Sequence, residues 1–288
     1  MTLGAQELEA ARSLLFVPVL ERRFVEKAHA REAGAIILDL EDAIAPAQKD
    51  AARLALPDAA GTLRANGVGR VVVRVNAGSD ADIEAAVVAG ADAVLIPKVL
   101  GVDELDRASA VASAAARRSG RERTVMPLLV LVETPQAVIR VNELAAHGAV
   151  IGLVLGSEDL ALALGVEPSA EALMHPAQQM VMAARAFGKI PLGVLGSLAA
   201  FDSDEGFQNA VRCGRRVGMA GAVCIHPKQV LQVNREFLPS ESDLQEARRI
   251  LEAFAAANAA GLGAVSLDGR MLDRPIVERA KLLLAGRC

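Results

Sequence analysis

The sequence predicts an α/β protein of the TIM (β/α)8 barrel class, and three observations support this prediction. Eight short apolar runs alternate along the chain with alanine-rich segments of helical character. The runs consist almost entirely of Val, Leu, Ile and Ala, as expected of parallel strands that are buried on both faces. The length of 288 residues is normal for one such barrel. A doubly wound open sheet is the alternative.

The first four units each consist of a predicted strand followed by a predicted helix. The strands are rich in β-branched residues or leucine, and the helices carry apolar side chains at helical spacing. Ser79 and Asp80 provide the cap at which the third helix begins. The predicted strands are Ser13–Pro18, Ala35–Leu40, Arg70–Val75 and Ala93–Pro97, and the helices span 21–32, a segment from near Pro46, a segment from 79 and 102–119.

The second four units repeat this pattern. A single helix from Pro135 to His147 is predicted between the fifth and sixth strands. The predicted strands are Val125–Val132, Val150–Leu155, Lys189–Val194 and Gly221–Ile225. Eight successive units of this kind favour a closed barrel.

The end of the chain is not needed to close a barrel. We predict a long helix from Asp243 to Ala260, a break at Gly261-Leu-Gly263, and a final helix that ends near Ala285. The predicted division is therefore a barrel over residues 1–236 and a C-terminal extension over residues 237–288. This extension could cap the mouth of a barrel, either its own or that of a neighbouring subunit.

Composition gives no indication of a nucleic-acid or membrane partner. The 31 basic and 35 acidic residues leave a net charge of −4, and the apolar runs are shorter than the roughly 20 residues needed to cross a bilayer. The first residues lack the pattern of a signal peptide. Cys213, Cys224 and Cys288 are odd in number and lack ligand-like spacing, which favours reduced thiols in the cytoplasm.

Acidic side chains follow two consecutive apolar strands. Glu133 comes directly after the fifth strand, and Glu158 and Asp159 follow the sixth. The carboxyl ends of parallel strands in a barrel meet at one face, where active sites lie. Carboxylate oxygens are preferred ligands of Mg2+, so the sequence predicts a magnesium site at this face.

Further polar residues follow the other strands: Asp39, Glu41, Asp42, Arg74, Asn76, Lys98 and His226. An arginine beside the metal could bind the carboxylate of a small oxo-acid through two hydrogen bonds. Arg74 could instead pair with Asp39 or Glu41 beneath the barrel mouth. A Schiff-base role for Lys98 is disfavoured because the metal site provides an alternative electron sink, and His226 before a proline is more typical of a structural histidine.

These residues lie within motifs that resemble those of the citrate lyase β-subunit-like family, which includes malyl-CoA and citramalyl-CoA lyases and belongs to the HpcH/HpaI aldolase superfamily. The similar motifs occur in the family's order along nearly the whole chain. They are Arg12–Pro18, Leu38–Ala43 with Lys49 and Ala52-Arg53, Val73–Asn76, Ile96–Lys98, Val132–Thr134, Leu155–Leu160, Ile225–Pro227 and Leu267–Pro275.

The resemblance implies a role for each matching residue. Glu133 and Asp159 would bind Mg2+, and Glu133 would also contact the substrate. Arg74 would bind the oxo-acid as a catalytic residue, and Arg12 would be a second arginine in contact with substrate. Asp39, Glu41 and Glu158 would support these groups. Asp273, on the C-terminal segment of a neighbouring subunit, would transfer the proton.

The activity implied by the resemblance is reversible aldol or Claisen-type cleavage of a 3-hydroxyacyl-CoA, such as a malyl-CoA or citramalyl-CoA, to an acyl-CoA and an oxo-acid. The resemblance also implies a homo-oligomer, a trimer or a multiple of trimers. The alternatives are a citryl carrier-protein lyase subunit that acts in a citrate lyase complex, and a catalytically reduced barrel that serves as a binding protein.

Two positions depart from the family pattern. Val19 replaces a glycine that usually follows the first motif, and the segment Pro191–Ser197 carries no acidic residue where an aspartate is common. Because this segment follows the seventh strand, it is expected at the barrel mouth. Substrate contacts there should differ from those of better-known lyases.

Overall fold

A computed structural model describes residues 3–120, 125–199, 204–259 and 265–286 of the chain. Eight parallel strands surround a common axis, each separated from the next by one or more helices. The strands are β1 (Ser13–Pro18), β2 (Ala35–Asp39), β3 (Val71–Arg74), β4 (Ala93–Ile96), β5 (Leu128–Val132), β6 (Val150–Leu155), β7 (Ile190–Leu192) and β8 (Ala222–Cys224).

Backbone pairing confirms the barrel. Each of β1 to β6 pairs in parallel with the strand that follows it, and β8 pairs with β1. Between β7 and β8, the Gly193 N–H donates to the Gly221 carbonyl at 2.9 Å and the Ala220 N–H donates to the Pro191 carbonyl at 2.8 Å. These two bonds link the last pair of strands, so the open-sheet alternative is wrong.

The helices differ from the predicted ones at two places. The segment predicted as one helix from Pro135 to His147 contains two, which meet at Arg140 because its backbone (φ −97°, ψ 12°) leaves the α conformation. A short helix before β1 was not predicted. The helices of the barrel are α1 (Ala5–Ala11), α2 (Arg22–Lys27), α3 (Lys49–Ala65), α4 (Asp80–Ala89), α5 (Val102–Arg118), α6 (Pro135–Ile139), α7 (Val141–Ala146), α8 (Ser157–Leu164), α9 (Ala170–Ala186), α10 (Asp204–Val217) and α11 (Pro227–Phe237).

The core of the barrel is built from aliphatic side chains. Every residue of β2, β4 and β5 is buried, which accounts for their uninterrupted apolar sequences. Leu8 of α1 is fully buried and lies against Gly152, where a Cβ atom would stand 2.8 Å from a Leu8 methyl group. Since Gly152 is the third residue of β6 and pairs with Ile190, the first residue of β7, α1 lies toward the amino ends of these strands, away from their carboxyl ends.

Contacts divide the chain into Met1–Asn234 and Arg235–Cys288. The second unit contains α12 (Glu241–Ala259), an antiparallel hairpin of β9 (Val265–Leu267) and β10 (Arg270–Leu272), and α13 (Arg274–Leu284). The hairpin turns at Asp268-Gly269, where both residues have positive φ, a preferred two-residue turn. The predicted break at Gly261-Leu-Gly263 lies outside the described residues, and the capping role of this unit stays a prediction.

No helix in the described part of the chain combines the length and apolar character needed to cross a membrane.

Candidate active site

A cavity of about 440 Å3 lies at the carboxyl ends of the barrel strands. Its lining joins residues that are far apart in sequence and that lie on the barrel strands or in the segments directly after them. The charged lining residues are Asp39, Asp42, Arg74, Glu133, Glu158 and Asp159, and the apolar ones include Phe16, Leu131, Val154, Leu198, Val223 and Ile225. The structure therefore brings most of the predicted site residues into one space.

Glu133 lies at the end of β5 and is only 2% exposed. Its Oε1 atom accepts the backbone N–H of Lys98 at 2.7 Å. Gly156 after β6 permits this position, since a Cβ atom there would stand 2.5 Å from the Glu133 Cβ atom. Burial, together with the charges of Asp159 and Glu41, raises the pKa of Glu133 to about 8 despite the bond from Lys98.

Asp159 lies in the first turn of α8, close enough to Glu133 for its charge to raise the pKa of that group. The partial positive charge of a helix N-terminus stabilises a carboxylate in this position. The neighbouring Ser157 hydroxyl also lines the cavity and is buried without a hydrogen-bond partner among the described residues. Buried polar atoms without a partner are uncommon and indicate a site for water or a ligand.

Arg74 ends β3 and is held by three carboxylates. Its Nε and Nη2 atoms donate to the two oxygens of Asp39, each at 2.7 Å, and Nη1 lies 2.9 Å from Glu41 Oε2 and from Asp42 Oδ2. Burial lowers the pKa of Arg74, but these hydrogen bonds and charges outweigh it and raise the pKa above its ordinary value. The Phe16 ring covers the guanidinium, with 4.6 Å between Cζ and the ring centroid.

Asp39 and Glu41 hold the strand end that carries them. Asp39 accepts the backbone N–H groups of Glu41 at 2.9 Å and of Ala43 at 3.2 Å, besides its bonds from Arg74. Lys49, whose function the sequence reasoning did not identify, donates from Nζ to the carbonyls of Leu40 at 2.8 Å and Glu41 at 2.5 Å. The segment after β2 is thus held through its backbone N–H groups, by Asp39, and through its carbonyl groups, by Lys49.

Lys98 contacts both Glu41 and Glu133. Its ammonium lies 3.0 Å from Glu41 Oε1, and that hydrogen bond raises the pKa of Lys98. A lysine with a raised pKa stays protonated and is a poor nucleophile, so the structure also disfavours a Schiff-base role. The backbone of Lys98 has a φ of 54°, a left-handed conformation in which its N–H reaches Glu133.

Three predicted residues lie elsewhere or have additional contacts. Arg12 precedes β1, at the amino end of the strand, and its carbonyl accepts the Ala222 N–H at 2.8 Å; Arg12 does not line the cavity described here. His226 follows β8 and accepts the Lys228 N–H at Nδ1. In the second unit, Asp273 is exposed and caps α13 by accepting the Ile276 N–H at 3.2 Å.

A second cavity, of about 300 Å3, shares Phe16, Pro18 and Ile225 with the first. Its wall includes the basic residues Lys27 and Arg31, both exposed on or just after α2. An apolar space edged by cations suits a ligand with an apolar portion and an anionic end.

The donor set at the first cavity fits a hard divalent cation. Among the described residues no group of three His, Cys, Asp or Glu side chains could enclose a metal ion. Mg2+ does not need such an enclosure, because it is commonly held by one or two carboxylates together with water and substrate oxygens. Glu133 and Asp159 provide two carboxylates in this arrangement.

The fold and the cavity together define a TIM-barrel protein with an open, carboxylate-lined cavity at the barrel mouth. The family model for HpcH/HpaI aldolase/citrate lyase matches residues 12–227. The chain belongs to this family and is a lyase, as its sequence motifs predict.

Relatives match the chain over nearly its whole length. Citrate lyase subunit beta of Haemophilus influenzae is 33% identical, covering 96% of this chain and 97% of the relative. (3S)-malyl-CoA thioesterase of Cereibacter sphaeroides is 34% identical, covering 98% and 96%. The crystal structure of protein CitE from Mycobacterium tuberculosis, in complex with magnesium, acetoacetate and coenzyme A, is 31% identical with a TM-score of 0.75, covering 96% and 98%.

Proposed function

We propose that this chain is a Mg2+-dependent carbon–carbon lyase that cleaves a 3-hydroxyacyl-CoA thioester to an acyl-CoA and an oxo-acid. The observation that carries the proposal is the pair of carboxylates, Glu133 and Asp159, that adjacent strands β5 and β6 present to one cavity together with Arg74. The ligands of CitE are magnesium, acetoacetate and coenzyme A. They correspond in kind to the metal, the oxo-acid and the coenzyme A portion of this proposal.

Glu133 and Asp159 would hold the metal. The mutual repulsion of these carboxylates supports this assignment, because a divalent cation relieves it. The Ser157 hydroxyl, which has no hydrogen-bond partner among the described residues, also supports it, because water bound to the cation can satisfy it. When bound, Mg2+ would act as a Lewis acid toward the oxygens of the oxo-acid.

The other residues would orient the substrate and move the proton. An arginine has five N–H groups. Among the described residues, Asp39, Glu41 and Asp42 engage four of those of Arg74, which leaves one on Nη2 for a substrate oxygen. Asp39 fixes the guanidinium plane, and Phe16 shields its face from water. Asp273 of a neighbouring subunit would transfer the proton, which requires the predicted oligomer, a trimer or a multiple of trimers. Arg12 has no role in this proposal.

The second cavity would receive the coenzyme A portion. It adjoins the first through Phe16, Pro18 and Ile225, so a thioester placed at the metal could continue into it. Lys27 and Arg31 would then meet the phosphate groups. His226 lines the same cavity.

A second candidate function is that of a citrate lyase β subunit acting on a carrier-bound citryl thioester. The observation in its favour is the full-length similarity to the citrate lyase subunit beta of Haemophilus influenzae. Such a subunit would need carrier and transferase partners. The cytoplasmic location remains a prediction in either case.

The test is release of acyl thioester and oxo-acid from malyl-, citramalyl- and citryl-thioesters, each supplied on coenzyme A and on a carrier protein. We expect cleavage of a CoA thioester that stops on chelation and in the Asp273→Asn and Glu133→Ala variants. Preference for the carrier form would instead support the second candidate. Absence of cleavage from every thioester, with Mg2+ still bound, would contradict both.

A further inference from the structure

The segment after β7 forms one wall of the first cavity. Leu198 and Ala199 line the cavity, and Leu198 is 9% exposed. This is the region where the sequence lacks the acidic residue common in the family. The structure shows how the segment is held in place without one.

Glu158 of α8 provides the missing acid. Its Oε1 atom accepts the Ser197 hydroxyl at 2.6 Å, the Leu198 N–H at 2.8 Å and the Ala199 N–H at 3.2 Å. A carboxylate that accepts several hydrogen bonds holds its donors strongly. Glu158 therefore anchors the segment from the side of the metal site, since the next residue is Asp159.

Gln229 of α11 holds the same segment from the other side. Its Nε2 atom donates to the Leu198 carbonyl at 2.8 Å, and its Oε1 atom accepts the N–H groups of Ile225 at 2.8 Å and His226 at 3.1 Å. Gln229 is 1% exposed. The N–H and the carbonyl of Leu198 are thus bound by side chains from two different helices, Glu158 of α8 and Gln229 of α11. We call these two residues, together with Ser197, which also binds Glu158, the Leu198 clamp.

We propose that Leu198 is a specificity-determining residue that limits the size of the oxo-acid fragment, and that the Leu198 clamp is what holds it in position. The proposal rests on the proposed lyase function. Leu198 lines the same cavity as Glu133 and Asp159, and Glu158, which accepts the Leu198 N–H, precedes Asp159 in the first turn of α8. A side chain whose backbone is fixed on both sides cannot move away from a larger substrate, and packed walls tolerate extra atoms poorly.

The experiment compares two substrates that differ by one methyl group on the carbon bearing the hydroxyl: the thioesters that release glyoxylate and pyruvate. The measured quantity is the kcat/KM for the thioester that releases pyruvate divided by the kcat/KM for the thioester that releases glyoxylate. Both are supplied on coenzyme A or on the carrier protein, whichever the wild type accepts. One methylene in a pocket is worth about 10- to 200-fold in such ratios. We expect Leu198→Ala to raise the ratio about tenfold and Leu198→Phe to lower it.

Gln229→Leu tests the clamp without changing a residue that lines the cavity or belongs to the proposed metal site. It removes the bond to the Leu198 carbonyl, together with those from the Ile225 and His226 N–H groups, at similar side-chain size. The ratio should therefore rise, as in Leu198→Ala. The double variant Leu198→Ala/Gln229→Leu should show less than the product of the two effects, because both act through one wall. Gln178→Leu, on the exposed face of α9, is the matched control and should leave the ratio unchanged.

The outcomes are distinguishable. A ratio that stays constant while kcat/KM falls equally for both substrates would overturn the proposal and leave the clamp a purely structural feature. If the wild type cleaves none of the malyl-, citramalyl- and citryl-thioesters while Mg2+ binds, the proposed function itself fails and this inference fails with it. A rise in the ratio for both Leu198→Ala and Gln229→Leu, with wild-type Mg2+ affinity, supports it.

Discussion

The Arg74 side and the Glu133 side of the cavity both contain buried carboxylates, but their charges are balanced differently. Asp39 is 2% exposed and binds the Arg74 guanidinium through two hydrogen bonds of 2.7 Å. Glu133 is equally buried, yet the nearby charges of Asp159 and Glu41 add to the effect of burial, and its pKa rises to about 8. On the Arg74 side, one guanidinium contacts each of the three carboxylates, whereas on the Glu133 side the charge of Asp159 opposes ionisation of Glu133.

This difference indicates which side awaits a cation and which side is a fixed support. A buried carboxylate that repels its neighbours costs folding stability unless a ligand compensates for it. Substitutions on the Glu133 side should therefore change metal binding and activity more than stability. Substitutions on the Arg74 side should reduce both stability and activity.

The largest effect is expected for Glu133→Gln. Loss of a metal ligand should lower kcat/KM at least about 10³-fold, equivalent to about 4 kcal/mol, and should weaken Mg2+ binding in calorimetry. Stability at pH 7 should change little, because the amide resembles the protonated carboxyl and can still accept the Lys98 N–H. Glu143→Gln, exposed on α7, is the control. Retained Mg2+ affinity in Glu133→Gln would contradict the assignment.

The next effect is expected for Asp39→Asn, which leaves the buried Arg74 without its main partner. Removing one member of a buried ion pair costs about 3 kcal/mol or more, so the free energy of unfolding measured with urea should fall by that amount, and activity should fall with it. Asp42→Asn removes a contact to the same guanidinium from a side chain that is 60% exposed. It should cost less than about 1 kcal/mol. Equal losses in the two variants would contradict the view that Asp39 is the main partner of Arg74.

The pH dependence of Mg2+ binding should separate the two sides further. Because Glu133 binds metal only when deprotonated and its pKa is about 8, Mg2+ affinity should rise about tenfold per pH unit up to that pH and level off above it. Binding at pH 7 should release nearly one proton, measurable by calorimetry in buffers of different ionisation enthalpy. Mg2+ affinity that is flat between pH 6 and 8 would count against a raised Glu133 pKa.

In the metal-free protein, the raised pKa of Glu133 makes stability fall as the pH rises. The folded-state pKa of Glu133 lies above its ordinary value of 4.5, so folding favours the protonated carboxyl. Its contribution to stability is complete below about pH 4.5 and is lost as the pH rises through 8. Urea unfolding with and without Mg2+ at pH 6 and 8.5 should show that the metal stabilises the protein more at the higher pH.

Much of the fold could be predicted because a barrel strand carries its signal locally. Strands β1 and β6 have the predicted bounds, and the others differ only at their ends, since burial on both faces requires an apolar run. Helix α1 was missed because seven residues are too few to show a helical period. The hairpin of β9 and β10 was also missed, although Asp268-Gly269 is a recognised turn signal.

The candidate site was predictable only where position along a strand decides the outcome. Glu133, Asp159 and Arg74 were found because residues that end neighbouring strands must meet at one face. Arg12 precedes its strand, and the same rule places it at the other end. The three bonds of Glu158 and the role of Gln229 depend on the path of the segment after β7, which no sequence period specifies.

The smallest effect should come from Lys98, which connects the two sides. Its N–H reaches Glu133 only because the residue adopts a φ of 54°, a conformation that costs a residue with a Cβ atom about 1 kcal/mol and costs glycine little. Lys98→Gly should therefore be more stable than Lys98→Ala by about 1 kcal/mol, or roughly 2–4 °C in Tm. At Glu84 of α4, an ordinary exposed helical position, the order should reverse, since alanine exceeds glycine there by about 1 kcal/mol. Both Lys98 variants lose the ammonium beside Glu41, so a difference between them reports the backbone alone. If Lys98→Ala were the more stable, the N–H of residue 98 would not be held toward Glu133 by a left-handed backbone in solution.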